Sequence, residues 1–308
     1  MLTKSEIDQY IGRLHLAAET DLSPSLSLLR KIQESHLTRI PFENLSVHIP
    51  INSTLDESTP IPLRKGPKPS LDPKVLFNKI ILGTRGGFCF ELNGLLWYLL
   101  KALGFNSTMS PAFTSTDPGE FTKFVSHAVV LVHVEGSWWM VDVGYGGGGC
   151  SAPMKLEHNY RGSGFGGELF RIREVDDDRV VECGEWVLER IDGETAEWDE
   201  ASRFGVHCEL GSLEETCFLA SSSVERGQPR GIGMFLADGE GGRKTFGAHG
   251  KDPVDGSFVE NETVVGYFNR WKRDFSSQAF KCFREERVEI ASLMNAKIVW
   301  EREFGVIL

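Results

Sequence analysis

The spacing of hydrophobic residues changes near residue 105. Before that point they recur at helical intervals: Ile7, Ile11 and Leu14 follow Ser5, and Leu26, Leu29 and Ile32 follow Ser23-Pro24. In the second case serine is expected to cap a helix and proline to take its first position, and Asp72-Pro73 opens another short helix in the same way. The longest stripe is Leu92, Leu95, Leu96, Leu99 and Leu103, one face of an amphipathic helix that starts near Cys89. Residues 51–70 are rich in proline, serine and lysine and predict an exposed loop.

From about 105 to 220 the runs shorten, gain β-branched and aromatic residues, and are punctuated by glycine. Residues 128–134 (AVVLVHV) and 137–143 (SWWMVDV) flank Glu135-Gly136, a two-residue hairpin signal. Residues 185–191 followed by Asp192-Gly193 read as another strand and turn. The glycine-rich stretch 160–167 has no Lys-Ser/Thr ending and no helix after it, so it reads as a mobile connection and not as a phosphate loop. The C-terminal part combines a glycine-rich stretch (227–250), an apolar and charged segment (260–283) and a strand-like run at 297–300. At 308 residues the chain exceeds most single cores. The expected fold is α+β: a helical bundle over 1–104, an antiparallel β-barrel over 105–220 and an α/β lid over 221–308.

Cys89 stands out among six cysteines. It follows Gly86-Gly87 and falls in the first turn of its helix, where unsatisfied N–H groups and the positive end of the helix dipole attract an anionic sulfur. The hairpin supplies its partners. With Glu135-Gly136 as the loop, Val134 faces Ser137 and Val129 faces Asp142. His127 then lies on the same face as Asp142, diagonal to it and close enough for a hydrogen bond. A loop one residue longer or shorter turns Asp142 to the other face. An aspartate inside an apolar strand needs a partner, and a carboxylate beside His127 would fix its tautomer and stabilise an imidazolium. Cysteine, histidine and aspartate in such a row form a nucleophilic triad.

A net charge of −11 argues against a nucleic-acid partner, because phosphates would be repelled over most of the surface, and an anionic ligand requires a local basic patch. The first residues lack an apolar signal core and no run of about 18 apolar residues occurs, so no membrane partner and a cytoplasmic location are expected. Without a C-x-x-C pair or a cysteine–histidine cluster, neither a metal nor a disulfide framework is indicated. Gly146 and Gly147 begin a four-glycine run whose amides could meet a phosphate, or which is a plain solvent loop. No heptad or long apolar edge speaks to oligomeric state.

Four blocks now come together in order: Pro41-Phe42-Glu43-Asn44-Leu45; Arg85-Gly86-Gly87-Phe88-Cys89 with Glu91-Leu92-Asn93; Ser126-His127; and Asp142-Val143-Gly144. Over roughly residues 1–150 the chain resembles the arylamine N-acetyltransferases. After about residue 185 it departs from that family's third segment, so nothing there is carried over. The resemblance implies a cysteine-protease-like Cys/His/Asp core and a ping-pong enzyme. In it, Cys89 takes an acyl group from acetyl-coenzyme A or another short acyl-coenzyme A, and His127 and Asp142 serve as base and orienting acid. It further implies that Phe42, Phe124 and Ser126 contact a small aromatic amine or hydrazine, that Lys123 lies near the cofactor, and that Glu43 and Arg85 support the site. A cysteine hydrolase of amides or peptides would use the same triad, and a binding protein with a degenerate site is a third reading.

Overall fold

The computed structural model describes residues 1–18, 21–48, 70–117, 119–146, 149–165, 167–178, 184–191, 198–205, 231–239, 242–249, 264–274, 279–290 and 293–307. The expected loop at 51–70 lies outside them except for Ser70, as does the turn at Asp192-Gly193.

Helix α1 (Lys4–Arg13) begins at Thr3, whose hydroxyl accepts from the Glu6 N–H while the Glu6 carboxylate accepts from the Thr3 N–H. Helix α2 (Leu26–Arg39) is capped by Ser25 and not by Ser23. Ser25 is extended, so its hydroxyl reaches the Leu28 N–H at 3.2 Å, and Pro24 stays outside the helix. Asp72 caps α3 (Pro73–Phe77) as its sequence suggested, and the chain continues into a π-turn, Asn78–Leu82. Helix α4 (Cys89–Ala102) buries Leu92, Leu95, Leu96 and Leu99 completely, against Tyr10, Leu29, Ile32, Leu76 and Ile80 of the other helices and turn. Each such leucine contributes roughly 2 kcal/mol of hydrophobic stabilisation.

The strands that follow are β2 (Asn106–Asp117), β3 (Glu120–Phe121), β4 (His127–Val134), β5 (Ser137–Val141), β6 (Met154–Lys155), β7 (Arg161–Ser163), β8 (Leu169–Glu174), β9 (Trp186–Ile191) and β10 (Trp198–Phe204). They form one antiparallel sheet in the order β6-β5-β4-β2-β10-β9-β8-β7, with β3 paired to β2. The sheet curls until its ends meet. Ser151 donates from both its N–H and its hydroxyl to the Ser163 carbonyl (3.0 and 2.7 Å), and Gly162 leaves room for Met154 where a Cβ would sit 2.3 Å from its sulfur. The result is a nearly closed barrel. Strand β4 is buried on both faces: Val130 and Val132 pack toward α4, and Val129 and Leu131 fill the barrel. That explains the apolar run Ala128–Val132, unbroken until His133. The stretch expected as a mobile connection instead contributes β7, with Gly162 permitting close approach to Met154 of β6.

A second antiparallel sheet runs β1-β11-β12-β13-β14, where β1 is Phe42–Glu43, β11 Gly231–Ala237, β12 Gly242–His249, β13 Val264–Asp274 and β14 Ala279–Ile290. Residues 297–300 are helical and not a strand, being part of α5 (Leu293–Phe304). Val299, Trp300 and Phe304 face Phe246 and Phe268 while Ile298 is exposed, a pattern that four apolar residues alone cannot reveal. Strand β1 joins two regions. It pairs with β11 (Phe42 opposite Phe235) and bridges to the loop before Cys89, with the Glu43 N–H donating to the Gly87 carbonyl at 2.9 Å.

Candidate active site

Cys89 is the first residue of α4, partly exposed, and backbone closeness fixes it there. A Cβ on Gly86 would lie 1.9 Å from the Pro41 carbonyl oxygen, and one on Gly144 would lie 2.6 Å from the Cys89 Cα. Only glycine lets those segments touch. In the hairpin, Glu135 and Gly136 both take positive φ (51° and 75°), the two-residue turn that the strand twist favours. The ladder runs from Val134 opposite Ser137 to Val130 opposite Val141. One step further sets Val129 opposite Asp142 and turns Asp142 toward His127, as the loop length predicted.

His127 Nε2 donates to Asp142 Oδ2 at 2.7 Å, and both side chains are buried. The Cys89 thiol lies close enough to the ring to favour its charged form. The sulfur also lies 3.9 Å from the Ser126 carbonyl. Burial by itself would lower the His127 pKa, but the charge and hydrogen bond of Asp142, aided by Cys89, raise it to about 10. Burial would raise the Asp142 carboxyl, yet His127, the Asn93 amide and the Gly144 N–H hold it below the usual carboxylate range. The site therefore favours an imidazolium paired with the Asp142 carboxylate and close to the Cys89 sulfur, an arrangement suited to nucleophilic catalysis by sulfur.

Asn93 had no role in the sequence reading, although it sits four residues after Cys89 on the same helix face. Its Nδ2 donates to Asp142 Oδ1 (2.8 Å) and to the Ala128 carbonyl (2.7 Å), and its Oδ1 accepts from the Val143 N–H (2.9 Å). It thus clamps the helix to both strands of the hairpin. Tyr145 also went unassigned. Its ring meets His127 edge-on (5.4 Å, 88°), and its hydroxyl donates to the Ala201 carbonyl at 3.0 Å.

A sequence model of the N-acetyltransferase family matches residues 25–207. The chain belongs to the arylamine N-acetyltransferase family. It is 34% identical over 154 residues to the arylamine N-acetyltransferase / N-hydroxyarylamine O-acetyltransferase of Salmonella typhimurium, a match covering 50% of this chain and 48% of that protein. The match spans about half the length of the curated relatives. Its fold is that of the Salmonella typhimurium arylamine N-acetyltransferase structure (TM-score 0.71, 22% identity, 99% of this chain and 92% of that one). It is also that of a Mycobacterium marinum arylamine N-acetyltransferase in complex with CoA (TM-score 0.63, 20% identity, 97% and 92%).

The other residues singled out by the family resemblance are spread around this centre. Phe42 is half-buried, with Gly146 against its ring and 3.7 Å from ring carbons to where a Gly146 Cβ would be; Gly146 has a φ of 76°. Gly147 lies outside the described residues. Lys123 is exposed, while Phe124 is half-buried and its carbonyl accepts from the Thr122 hydroxyl at 2.9 Å. The Ser126 hydroxyl is tied to the Thr114 N–H (2.9 Å) and to the hydroxyls of Thr114 and Thr122 (both 2.8 Å). It braces this loop, and it is the Ser126 carbonyl that faces Cys89. Glu43 and Arg85 form a buried ion pair, Nε to Oε1 at 3.0 Å. Among the described residues no cluster of three or more histidine, cysteine, aspartate or glutamate side chains could hold a metal ion.

Proposed function

We propose that the protein moves an acetyl or other short acyl group from acyl-coenzyme A to the nitrogen of arylamines, arylhydrazines or N-hydroxyarylamines through a thioacyl-Cys89 intermediate. One observation carries the reading: His127 is buried between the Asp142 carboxylate and a partly exposed cysteine at a helix start. Membership of the family, and a fold neighbour in complex with CoA, support the choice of donor.

In the first half-reaction the thiol proton resides on His127, and the Cys89 sulfur attacks the thioester carbonyl. Coenzyme A departs as a thiolate and takes the proton from the imidazolium, leaving a thioacyl cysteine beside a neutral imidazole. The acceptor nitrogen then attacks the new thioester, His127 takes its proton, and the Cys89 thiolate leaves, restoring the starting charges. Asp142 stays ionised and orients the ring throughout. The Cys89 N–H is one donor for the oxyanion. Phe42 and Phe124 exclude water so that transfer outruns hydrolysis, while Phe88 is packed in the core; Lys123 and Gly146 face the donor. A cytoplasmic setting, which keeps thiols reduced, suits this chemistry.

Purified protein incubated with acetyl-coenzyme A alone is expected to gain one acetyl group on Cys89, released when an arylamine is added. Peptide mass spectrometry reads the modification, and Cys89→Ala acquires none. Steady hydrolysis of the donor without amide formation would instead identify a cysteine hydrolase. A protein that remains unacylated with acetyl, propionyl and malonyl donors is a binding protein, and the proposal fails.

A further inference from the structure

The hairpin that carries His127 and Asp142 is also held from across the barrel. Tyr145 follows Asp142 by three residues, in the loop that leaves β5, and packs against the barrel core. From there its hydroxyl donates to the Ala201 carbonyl of β10 at 3.0 Å, a contact between residues 56 apart in the chain. In the sheet order β5-β4-β2-β10, that bond reaches past two intervening strands. Burial pushes the Tyr145 hydroxyl up to about 12, so it stays protonated and donates. Ala201 is no ordinary ladder residue. Against β9, Glu200 stands opposite Glu189 and Ser202 opposite Leu188, which leaves Ala201 as an extra residue without a counterpart, a β-bulge. On its other side, pairing with β2 begins only at Ser202, opposite Thr114. A bulge interrupts regular pairing, and bulges are over-represented beside active sites. Here the carbonyl of the extra residue takes the tyrosine hydroxyl.

The ring at the near end of that side chain meets the His127 imidazole at 88°, with centroids 5.4 Å apart, a favoured aromatic geometry. Asp142 holds the imidazole at one corner, Nε2, and a ring held at one corner can still tilt about it. A perpendicular ring packed against it opposes the tilt. The Ala201 bond in turn keeps the phenol ring from swinging away.

We infer that Tyr145 is a positioning residue for His127: tethered to the β10 bulge, its ring keeps the imidazole in the orientation in which Nε2 meets Asp142 beside the Cys89 thiol. The inference rests on His127 serving Cys89 as its base, and it holds whichever donor or acceptor the protein takes.

The test is single-turnover acylation of Cys89 in the full chain by the fastest of acetyl-, propionyl- and malonyl-coenzyme A, followed by mass spectrometry over a range of donor concentrations. The thermal midpoint and the low-field proton NMR resonance of the His127–Asp142 hydrogen bond are recorded alongside. Tyr145→Leu, which removes the ring, is expected to lower the maximal rate about ten- to a hundredfold at an unchanged half-saturating donor concentration. It also displaces or broadens the low-field resonance. Tyr145→Phe keeps the ring and removes the tether; it shows the same signs with a loss of about three- to tenfold, and decides the question if Tyr145→Leu does not fold. A maximal rate at the wild-type value in either variant overturns the inference. So does a slower rate accompanied by a lower thermal midpoint with the low-field resonance in place, which reduces Tyr145 to a structural role. A raised half-saturating concentration with the maximal rate kept makes Tyr145 a donor contact and overturns it as well. Wild-type Cys89 that none of the three donors acylates removes the nucleophile reading itself and the inference with it, a separate failure.

Discussion

Two histidines are equally buried in this protein and end in opposite states. His36, on α2 inside the helical bundle, meets the Tyr10 hydroxyl at 2.8 Å, and among the described residues its Nδ1 has no hydrogen-bond partner. Burial, reinforced by Arg13, lowers its pKa to about 3, so the ring is neutral. His127, at the start of β4, has a carboxylate at 2.7 Å and the Cys89 thiol nearby, and its pKa is raised to about 10. Desolvation opposes the charged form in both. What separates them is the partner: a phenol cannot stabilise an imidazolium as an ionised carboxylate does. Burial of a titratable ring is thus no mark of function by itself.

The sharpest contrast comes from replacing each ring. His127→Gln is expected to slow acyl transfer by about 10³- to 10⁴-fold, whereas His36→Gln, whose amide still bonds to Tyr10, leaves the rate within about threefold. Single-turnover acetylation of both variants measures this, and equal losses would dissolve the distinction. Asp142→Asn comes next, with a loss of about 10²- to 10⁴-fold and a downward shift of the pH at which the ring titrates, observable by NMR of the imidazole.

Stability should respond to pH with opposite signs at the two sites. As pH falls, the unfolded chain protonates its histidine near 6.5 but native His36 resists until about 3, so stability is full above 6.5 and declines toward 3, by at most about 1.4 kcal/mol per pH unit. Native His127 holds its proton up to about 10, so its contribution is full below 6.5 and is lost as pH rises through 10. Denaturant midpoints across pH should show His36→Gln flattening the acid side only. The smallest effect is that of Tyr10→Phe, which orphans His36 Nε2 and is expected to cost about 1–3 kcal/mol with transfer unchanged.

Much of the candidate site was legible before the fold. Leu92, Leu95, Leu96 and Leu99 announce α4, and so place Cys89 at a helix start, because a helix face is a local property of spacing. Glu135-Gly136 sets the hairpin register and with it the side on which Asp142 emerges, because a two-residue turn leaves no freedom to slip. Asn93 was harder to read: its partners Ala128, Asp142 and Val143 are 35 to 50 residues away. The run at 297–300 misled because four apolar residues carry no period, and Ser23 misled because Ser25 competes for the same cap.

Local pattern by itself therefore determined that Cys89 begins a helix and in what register His127 and Asp142 would meet. Tertiary structure decided what surrounds them: that His127 favours its charged form while His36 does not, that Lys79 closes a buried charge cluster with Glu91 of α4, and that β1 ties the second sheet to the Cys89 loop. The reason is range. Helix periodicity and turn geometry act over a few residues, whereas desolvation and charge pairing depend on which distant segments the packed core brings within a few ångströms.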